Sequence, residues 1–295
     1  MHRVLLHSPH ISSYSFCLLL GFLAGFFLAR WNAKRTGLPG RHVDNLTLLL
    51  VITGLTGARI FSWLFYFPPG IGFWRALYYP GGGLVFYGGV VFGVATVVLY
   101  ALIARVSLRK FIDVLAAPLA LGLAFGRIGC FMAGCCWGDL CVDSNTISAL
   151  TSSERYRVQT VPVLSTARFP CAVRFPTDTG ALEQHQRMGL LAGDAQRSLP
   201  VHPVQLYEAL LAILLVFWLQ RSTRSNPGQT FWQFCLGYGV IRFLLEFLRA
   251  DNSPEYLGLT ISQVISLVAI ALCLPLAIRR RPASAATKLP DPVPV

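Results

Sequence analysis

The chain has 295 residues, of which 54% are hydrophobic and 13% are charged. Soluble domains carry about 25% charged residues, so this chain has too little polar surface to cover a globule in water. A net charge of +12 would suit a nucleic-acid-binding protein. The basic residues, however, stand in short clusters between apolar runs, a pattern typical of contact with anionic lipid headgroups. The composition therefore indicates a membrane protein and argues against a nucleic-acid partner.

Seven apolar segments are long enough to cross a bilayer, which requires about 20 mostly apolar residues. In chain order they cover residues 13–31, 46–66, 82–104, 112–134, 203–220, 230–248 and 259–278. The first segment is followed by Arg30, Lys34 and Arg35 and by no small-residue cleavage site, so we expect it to be a retained helix. The sequence therefore predicts an all-α polytopic membrane protein with seven transmembrane helices.

Basic residues in the short loops predict the direction in which the helices run. Four clusters follow the first, third, fifth and seventh segments, whereas the alternate short loops are poorer in Lys and Arg. These clusters are Arg30, Lys34, Arg35 and Arg41; Arg105, Arg109 and Lys110; Arg221 and Arg224; and Arg279, Arg280 and Arg281. Because all four fall on one side, we expect the N-terminus outside and the C-terminus in the cytoplasm.

One long extramembrane stretch interrupts the predicted helices. Residues 136–202 are rich in Ser, Thr, Pro and Arg and are expected to form a small irregular cap on the outer face. Residues 1–280, including this insertion, are predicted to be a single membrane domain. Residues 281–295, rich in Pro and Ala, are predicted to be a disordered cytoplasmic tail. No internal repeat is visible, which argues against a transporter built from repeats.

Polar side chains cluster toward the outer ends of the predicted helices once the direction of each helix is assigned. A charged side chain at mid-bilayer costs about 2.5–3.5 kcal/mol, so arginines there imply an anionic ligand or a hydrated cavity. The polar residues concerned are Tyr14, Arg59, Tyr87, Arg127, His202, Gln205, Glu208, Tyr238, Arg242, Glu246 and Gln263. The alternative is an arginine that extends to the headgroups, which is the expectation for Arg249.

Tyr238, Arg242 and Glu246 are spaced four residues apart and therefore lie along one stripe of a helix. Glu246 can hold the Arg242 guanidinium while leaving donors for a substrate phosphate. A purely structural contact between helices is the alternative. The segment from His202 to Glu208 opens the fifth predicted helix with many hydrogen-bonding groups.

Four of the eight cysteines fall within twelve residues, at Cys130, Cys135, Cys136 and Cys141. Their spacing, C-x4-C-C-x4-C, differs from the C-x2-C spacing of common zinc sites. We therefore predict no metal site and expect disulfides on an oxidising outer face, with Cys141 and Cys171 as a natural pair. Metal binding and simple packing are the alternatives.

Six segments resemble, in order, the signature sequences of the prolipoprotein diacylglyceryl transferases. They are SYSFCLLLGF (13–22), GARIF (57–61), GGGLVFYGG (81–89), GRIGCFMAGCCWG (126–138), HPVQLYE (202–208) and Arg242-x-x-x-Glu246-Phe247-x-Arg249. The resemblance covers about residues 11–278. It implies a monomeric enzyme of the bacterial cytoplasmic (inner) membrane that needs no cofactor. Such an enzyme transfers diacylglyceryl from phosphatidylglycerol to the lipobox cysteine of a prolipoprotein and releases glycerol phosphate.

The resemblance also implies roles for individual residues. The candidate catalytic residues are Tyr87, Arg127, Arg242 and Glu246. The candidate substrate-binding residues are Tyr14, Arg59, Gly88, Gly89, Gly138, His202, Gln205, Glu208, Tyr238 and Gln263. The arginines would bind the phosphate, which gains charge as it leaves. A base would assist the attack, because a thiol of pKa about 8.5 is only a few per cent thiolate at pH 7.

The sequence departs from the family pattern at three positions. Tyr87 stands where the best-known members have a histidine before Gly-Gly, and Cys130 and Cys135 stand at the usual Asn and Glu positions. A tyrosine is a poor base unless a nearby cation lowers its pKa, so the base and the acceptor stay open. Two other functions are compatible with the sequence. One is a paralogue with another acceptor or a thiol-redox role, and the other is a non-catalytic lipid-binding or transport protein.

Overall fold

A computed structural model describes residues 4–7, 10–67, 70–78, 83–141, 171–177, 179–222, 226–249 and 258–278. Within these ranges the chain forms a hairpin and a series of helices. In chain order the elements are β1 (Val4–His7), β2 (His10–Ser12), α1 (Ser13–Thr36), α2 (Gly40–Tyr66), α3 (Phe73–Tyr78), α4 (Phe86–Ile103), α5 (Leu108–Ala133), α6 (Gly180–Arg187), α7 (Val204–Arg221), α8 (Gln229–Glu246) and α9 (Ile261–Ile278).

Each of the seven predicted apolar segments corresponds to a helix, and six of these helices are long and apolar enough to span a membrane. The six are α1, α2, α4, α5, α7 and α9. Helix α8 has 18 residues but carries Arg242 and Glu246 near its end, and it is not among the six. A helical membrane protein with several spans is therefore confirmed, while the count of seven spans stays a prediction.

The helix boundaries differ most from the predicted ones at the starts of α2 and α4. Helix α2 begins at Gly40, directly after Pro39. The hydropathy pattern places its start six residues later, at residue 46, because the first turns of the helix are polar. Helix α4 begins at Phe86, and residues 83–85 lie outside it. Glycine is a weak helix former, which agrees with the position of Gly83 outside α4.

Four short elements have no counterpart in the sequence prediction. Strands β1 and β2 pair in an antiparallel hairpin before α1, helix α3 lies in the connection between α2 and α4, and helix α6 lies in the predicted cap. Such short elements give little of the hydrophobic periodicity that reveals longer ones.

The described backbone falls into two compact units, residues 26–118 and residues 1–25 with 119–295. The predicted single domain over residues 1–280 stays a prediction, and the predicted tail at 281–295 lies outside the described residues.

In the first unit, residues 26–118, Leu46, Ala101 and Phe111 form a buried cluster that joins α2, α4 and the start of α5. A surface ion pair between Arg30 and Asp44, 3.0 Å long, joins α1 to α2.

Helices α2 and α4 approach closely at Gly57 and Gly88. A Cβ atom at Gly57 would lie 2.6 Å from Phe92 Cβ and 2.7 Å from the Gly88 carbonyl oxygen. A Cβ at Gly88 would collide with the Gly57 carbonyl and lie 2.7 Å from Phe61 Cβ. Small residues allow membrane helices to pack this tightly. Gly88 thus has a packing role that the sequence does not predict, and its substrate-binding role stays a prediction.

The second unit contains the second half of α5 together with α6, α7, α8 and α9. Helix α8 packs along both α7 and α9. The described part of the predicted cap has its own core, in which Leu140, Phe175, Ala181 and Val201 are buried. Isolated β-bridges pair Val201 with both Leu140 and Val173. These contacts connect the end of α5 to the start of α7.

The close contact of α2 and α4 predicts that Gly88→Ala destabilises the protein. An inserted methyl group without space typically costs about 1–3 kcal/mol. Gly93→Ala on the same helix is the matched control, since its Cβ would meet only Leu50 Cδ2 at 3.7 Å. Both variants replace glycine by alanine within α4. A difference between their midpoints of thermal unfolding in detergent therefore reports the collision of the added methyl group at residue 88. Equal unfolding midpoints for the two variants would contradict the described packing.

Candidate active site

A group of buried charged side chains lies where α5, α7 and α8 meet the start of α9. Glu208 is 1% exposed and Glu246 is 3% exposed. A carboxylate that is buried to this degree must be paired with a cation and hydrogen-bonded, because its isolated charge would be too costly in an apolar environment. Both carboxylates meet this condition through arginines.

Glu208 of α7 binds both Arg127 of α5 and Tyr238 of α8. Its Oε2 atom lies 2.9 Å from Arg127 Nε, and its Oε1 accepts a hydrogen bond of 2.9 Å from the Tyr238 hydroxyl. The shortest contact of this ion pair uses Nε of the guanidinium. The sequence predicts Glu208 and Tyr238 as substrate-binding residues, and the structure shows that they orient Arg127.

Glu246 forms a second group with Arg242, Arg249 and Thr260. Arg242 Nη2 lies 2.7 Å from Glu246 Oε2, which is the contact that the four-residue spacing predicts. Thr260 donates a hydrogen bond of 2.8 Å to Oε1, and Arg249 Nε lies 3.8 Å from Oε2. The side chain of Arg249 is only 7% exposed, so the expectation that it extends to the headgroups is wrong. The Arg242-x-x-x-Glu246-x-x-Arg249 spacing contained the signal for this pairing.

Besides Oε2 of Glu208 and of Glu246, which lie in ion pairs, two buried polar atoms in this region have no hydrogen-bond partner among the described residues. They are Arg242 Nη1 and Gln205 Oε1. The amide nitrogen of Gln205 donates to the Cys135 carbonyl at 2.7 Å, which fixes the orientation of the side chain. Buried polar atoms without partners are rare and cost about 1–3 kcal/mol each. Nη1 requires an acceptor and Oε1 requires a donor, and a ligand with both groups would satisfy them.

Gln263 has a structural role in the capping of α9. Its Oε1 accepts a hydrogen bond of 2.9 Å from the Thr260 backbone nitrogen, and its own backbone nitrogen donates to Thr260 Oγ1 at 3.2 Å. This reciprocal pair is a capping box, which the sequence Thr-x-x-Gln indicates. The predicted contact of Gln263 with substrate is therefore not needed to explain its burial.

Gly138 and His202 join the cap to the start of α7. The Gly138 nitrogen donates to the His202 carbonyl at 2.9 Å, and the His202 nitrogen donates to the Asp139 carbonyl at 3.0 Å. A Cβ at Gly138 would lie 2.5 Å from Val204 Cγ2. The His202 ring is buried, with Nδ1 at 3.5 Å from the Tyr207 hydroxyl. Backbone packing thus accounts for both residues, and their substrate-binding role stays a prediction.

Three cysteines converge at the end of α5, with Cys130 in its last turn and Cys135 and Cys136 just after it. The sulfur atoms of Cys130, Cys135 and Cys136 all lie within 4.8 Å of one another. Hydrogen bonds from the Cys130 and Cys135 thiols lower the pKa of the Cys136 thiol, and the charges of Arg249 and Arg127 lower this pKa further.

The expected disulfide is not formed. No disulfide bond joins any two cysteines in the part of the chain that the structure describes, which includes Cys141 and Cys171.

The ring of Tyr14, at the start of α1, lies beside Gly129 of α5. A Cβ added at Gly129 would be 3.0 Å from Cδ2 of Tyr14. Tyr14 is therefore close to the Arg127 and cysteine region, and its substrate-binding role stays a prediction.

The other predicted site residues, Arg59, Tyr87 and Gly89, belong to the unit of residues 26–118. Tyr87 is 72% exposed at the first turn of α4, and its ring contacts Phe86. Arg59 donates to the carbonyl oxygens of Ala76 at 3.0 Å and Gly83 at 3.2 Å, which anchors the connection between α2 and α4. The catalytic role of Tyr87 and the binding roles of Arg59 and Gly89 stay predictions.

Comparison with known proteins supplies the family. The model of the prolipoprotein diacylglyceryl transferase family matches residues 3–279. Several relatives are named phosphatidylglycerol–prolipoprotein diacylglyceryl transferase. The Solidesulfovibrio magneticus protein is 32% identical over 91% of this chain and 90% of its own length. The Clostridium tetani protein is 27% identical over 89% and 90%, and the Xanthomonas euvesicatoria protein is 30% identical over 95% and 90%, respectively. This chain, with its paired arginines and buried glutamates, belongs to the prolipoprotein diacylglyceryl transferase family.

Proposed function

We propose that this chain transfers the diacylglyceryl group of phosphatidylglycerol to the lipobox cysteine of prolipoproteins and releases glycerol phosphate. The observation that carries the proposal is the buried Arg242 Nη1, a cationic donor without a hydrogen-bond partner among the described residues. It occurs in a family whose named members act on phosphatidylglycerol and prolipoproteins. A lipid phosphate supplies the anionic acceptor that this nitrogen requires.

The arginines are oriented before substrate binds. Arg127 is held through Nε by Glu208, and Arg242 is held through Nη2 by Glu246. Each guanidinium has five donors in a planar fork, so one carboxylate contact leaves others for phosphate oxygens. Tyr238, which contacts Glu208, and Arg242, which contacts Glu246, lie one turn apart on α8. Helix α8 therefore holds the two ion pairs close to each other. Preorganised donors of this kind stabilise charge that develops during the reaction.

Gln205 provides a second recognition element. Its buried Oε1 has no partner among the described residues, and the glycerol headgroup of phosphatidylglycerol carries hydroxyl donors. A hydroxyl that donates to Oε1 while the phosphate accepts from Arg242 would satisfy both orphan atoms with one lipid. Discrimination against a headgroup without such hydroxyls follows, because Oε1 would then remain buried and unpaired.

The chemistry is a nucleophilic substitution at a glyceryl carbon. The acceptor thiolate forms a C–S bond with the diacylglyceryl carbon, and the C–O bond to phosphate breaks. The phosphate oxygen takes the electron pair, so negative charge increases next to Arg127 and Arg242, where their attraction lowers the barrier. Tyr87 either accepts the thiol proton or donates its hydroxyl to the departing phosphate, and both roles require the phenolic oxygen.

The proposal includes seven membrane spans and a direction for each of them. Helix α8 acts as the seventh span, because Arg242 and Glu246 neutralise each other and so lower the cost of burying two charges. Seven spans and the basic clusters give an outer N-terminus and a cytoplasmic C-terminus in the bacterial inner membrane. The cap and the arginines then lie toward the outer leaflet. The active form is a monomer that needs no nucleic acid and no other protein besides its acceptor.

The first prediction concerns the arginines. In cells depleted of their own transferase, the wild-type chain should restore lipidated lipoprotein. The purified chain in detergent should release glycerol phosphate from phosphatidylglycerol in the presence of a lipobox peptide. Arg127→Ala or Arg242→Ala should lower this rate at least about 10²-fold, as removal of a preorganised donor does. Lysine should rescue poorly, because it lacks the planar fork.

The matched control for the arginine variants is Arg187→Ala. Arg187 pairs with Glu183 on the exposed side of α6, with 81% of its side chain accessible, and such pairs contribute little to stability. It should leave the rate unchanged. Near-normal transfer by Arg127→Ala and Arg242→Ala would exclude the phosphate role, and no transfer by the wild-type chain would exclude the proposed function itself.

The second prediction concerns the hydroxyl of Tyr87. Tyr87→Phe keeps the ring and should lower the transfer rate about 10²-fold, within the usual range for acid–base groups. Tyr87→His should retain activity, because histidine occupies this position in the best-known family members. Tyr66→Phe is the control, since Tyr66 is a comparably exposed tyrosine in the same unit. If Tyr87→Phe is as active as Tyr66→Phe, the ring is an interfacial anchor and its hydroxyl has no part in catalysis.

A further inference from the structure

The three converging cysteines have the separation that one metal ion requires. Their sulfur atoms lie within 4.8 Å of one another. Three sulfurs that bind one zinc ion tetrahedrally, with Zn–S bonds of about 2.3 Å, are about 3.8 Å apart. Inward movements of about an ångström or less, within the range of side-chain rotation, would bring all three to an ion.

The backbone explains how a spacing that differs from C-x2-C brings the thiols together. Gly134 has φ +69° and Cys136 has φ +60°, so two left-handed residues turn the chain back toward the end of α5. The left-handed conformation costs a residue with a side chain about 1–2 kcal/mol, so the turn must be held by other contacts. The Cys135 nitrogen donates to the Cys130 carbonyl at 3.1 Å, and Gln205 donates to the Cys135 carbonyl at 2.7 Å.

We propose that Cys130, Cys135 and Cys136 bind a zinc-class divalent cation through three thiolates and present its fourth coordination position to the acceptor thiol. Three protein ligands with one open position are typical of a catalytic zinc site, whereas a structural site is closed by a fourth ligand. The part of the chain that the structure describes supplies no fourth Cys, His, Asp or Glu to this group. The role of the open position rests on the proposed function, but the metal site does not.

The surrounding charges match an occupied site. Three thiolates and one divalent cation carry a net charge of −1. Arg127, Arg242 and Arg249 together with Glu208 and Glu246 carry a net charge of +1, which opposes this charge. The same Arg127 takes part in the proposed phosphate site.

Coordination would supply the nucleophile for the proposed reaction. A thiol that binds zinc loses its proton outright, and this proton passes to solvent. The bound sulfur then forms the C–S bond, the C–O bond breaks and the phosphate oxygen takes the electron pair. No oxidant or reductant takes part. Tyr87 is then left with the second of its two possible roles, donation of a hydrogen bond to the departing phosphate.

Metal content tests the site independently of activity. The full chain, purified in detergent from zinc-supplemented medium with a reductant that does not bind metals, should retain about one zinc ion per chain by elemental analysis. Cys130→Ser, Cys135→Ser and Cys136→Ser should each lose most of it. Cys235→Ser, on α8 and outside the cluster, should retain it. Absence of any bound metal in the wild-type chain, or retention of a metal outside the zinc class, overturns the assignment.

Cobalt substitution tests the open position. With Co²⁺ in place of zinc, the chain should show thiolate-to-cobalt absorption and visible bands of tetrahedral intensity. A lipobox peptide should intensify the thiolate band and shift the visible bands, while the same peptide with Ser for Cys should not. Bands that the cysteine peptide leaves unchanged overturn the thiol-binding role. Transfer by a chain that holds no metal overturns the role in the reaction and leaves the proposed function intact.

Discussion

The candidate site depends on two buried carboxylates, Glu208 and Glu246, which hold two arginines inside an assembly of apolar helices. An isolated charge in such surroundings is too costly to persist, and a charge that is fully satisfied by protein partners has nothing left for a ligand. Arg242 lies between these limits, because it is paired with a carboxylate but is not fully satisfied by protein partners in the described part of the chain. Glu246 engages one nitrogen of Arg242 at 2.7 Å, and Arg242 Nη1 is buried without a hydrogen-bond partner among the described residues. The remaining donor of Arg242 is therefore available to a ligand.

Other contacts in the same unit support these ion pairs. Tyr238 and Thr260 each donate a hydrogen bond to one of the glutamates, and the capping box of Thr260 and Gln263 fixes the start of α9 beside Glu246. A hydroxyl donor on each carboxylate restricts its rotation, so the arginine bound to it is also restricted. Tyr238 and Gln263, which the sequence suggests as substrate ligands, thus also support the carboxylates that hold the arginines, and their substrate-binding roles stay predictions.

The sequence predicted the general fold because long apolar runs are the strongest signal that a membrane protein carries. It predicted the contact of Arg242 with Glu246 because a four-residue spacing determines which side chains share a helix face. It did not predict the pairing of Arg127 with Glu208, since these residues are 81 positions apart and only tertiary packing joins them. The convergence of Cys130 with Cys135 and Cys136 was also missed, because it depends on two left-handed residues in one turn. The expectation for Arg249 was wrong although its three-residue spacing from Glu246 carried a readable signal.

A structure of the chain with phosphatidylglycerol bound would show whether Arg242 binds the lipid phosphate. The distance from Arg242 Nη1 to the nearest phosphate oxygen is the decisive quantity. The account predicts a hydrogen bond of about 2.7–2.9 Å, as in other charge-assisted pairs, with Glu246 still bound to Nη2. It also predicts that a headgroup hydroxyl donates to Gln205 Oε1. A phosphate bound away from Arg127 and Arg242, or a protein group that satisfies Nη1 in the lipid-bound state, would contradict it.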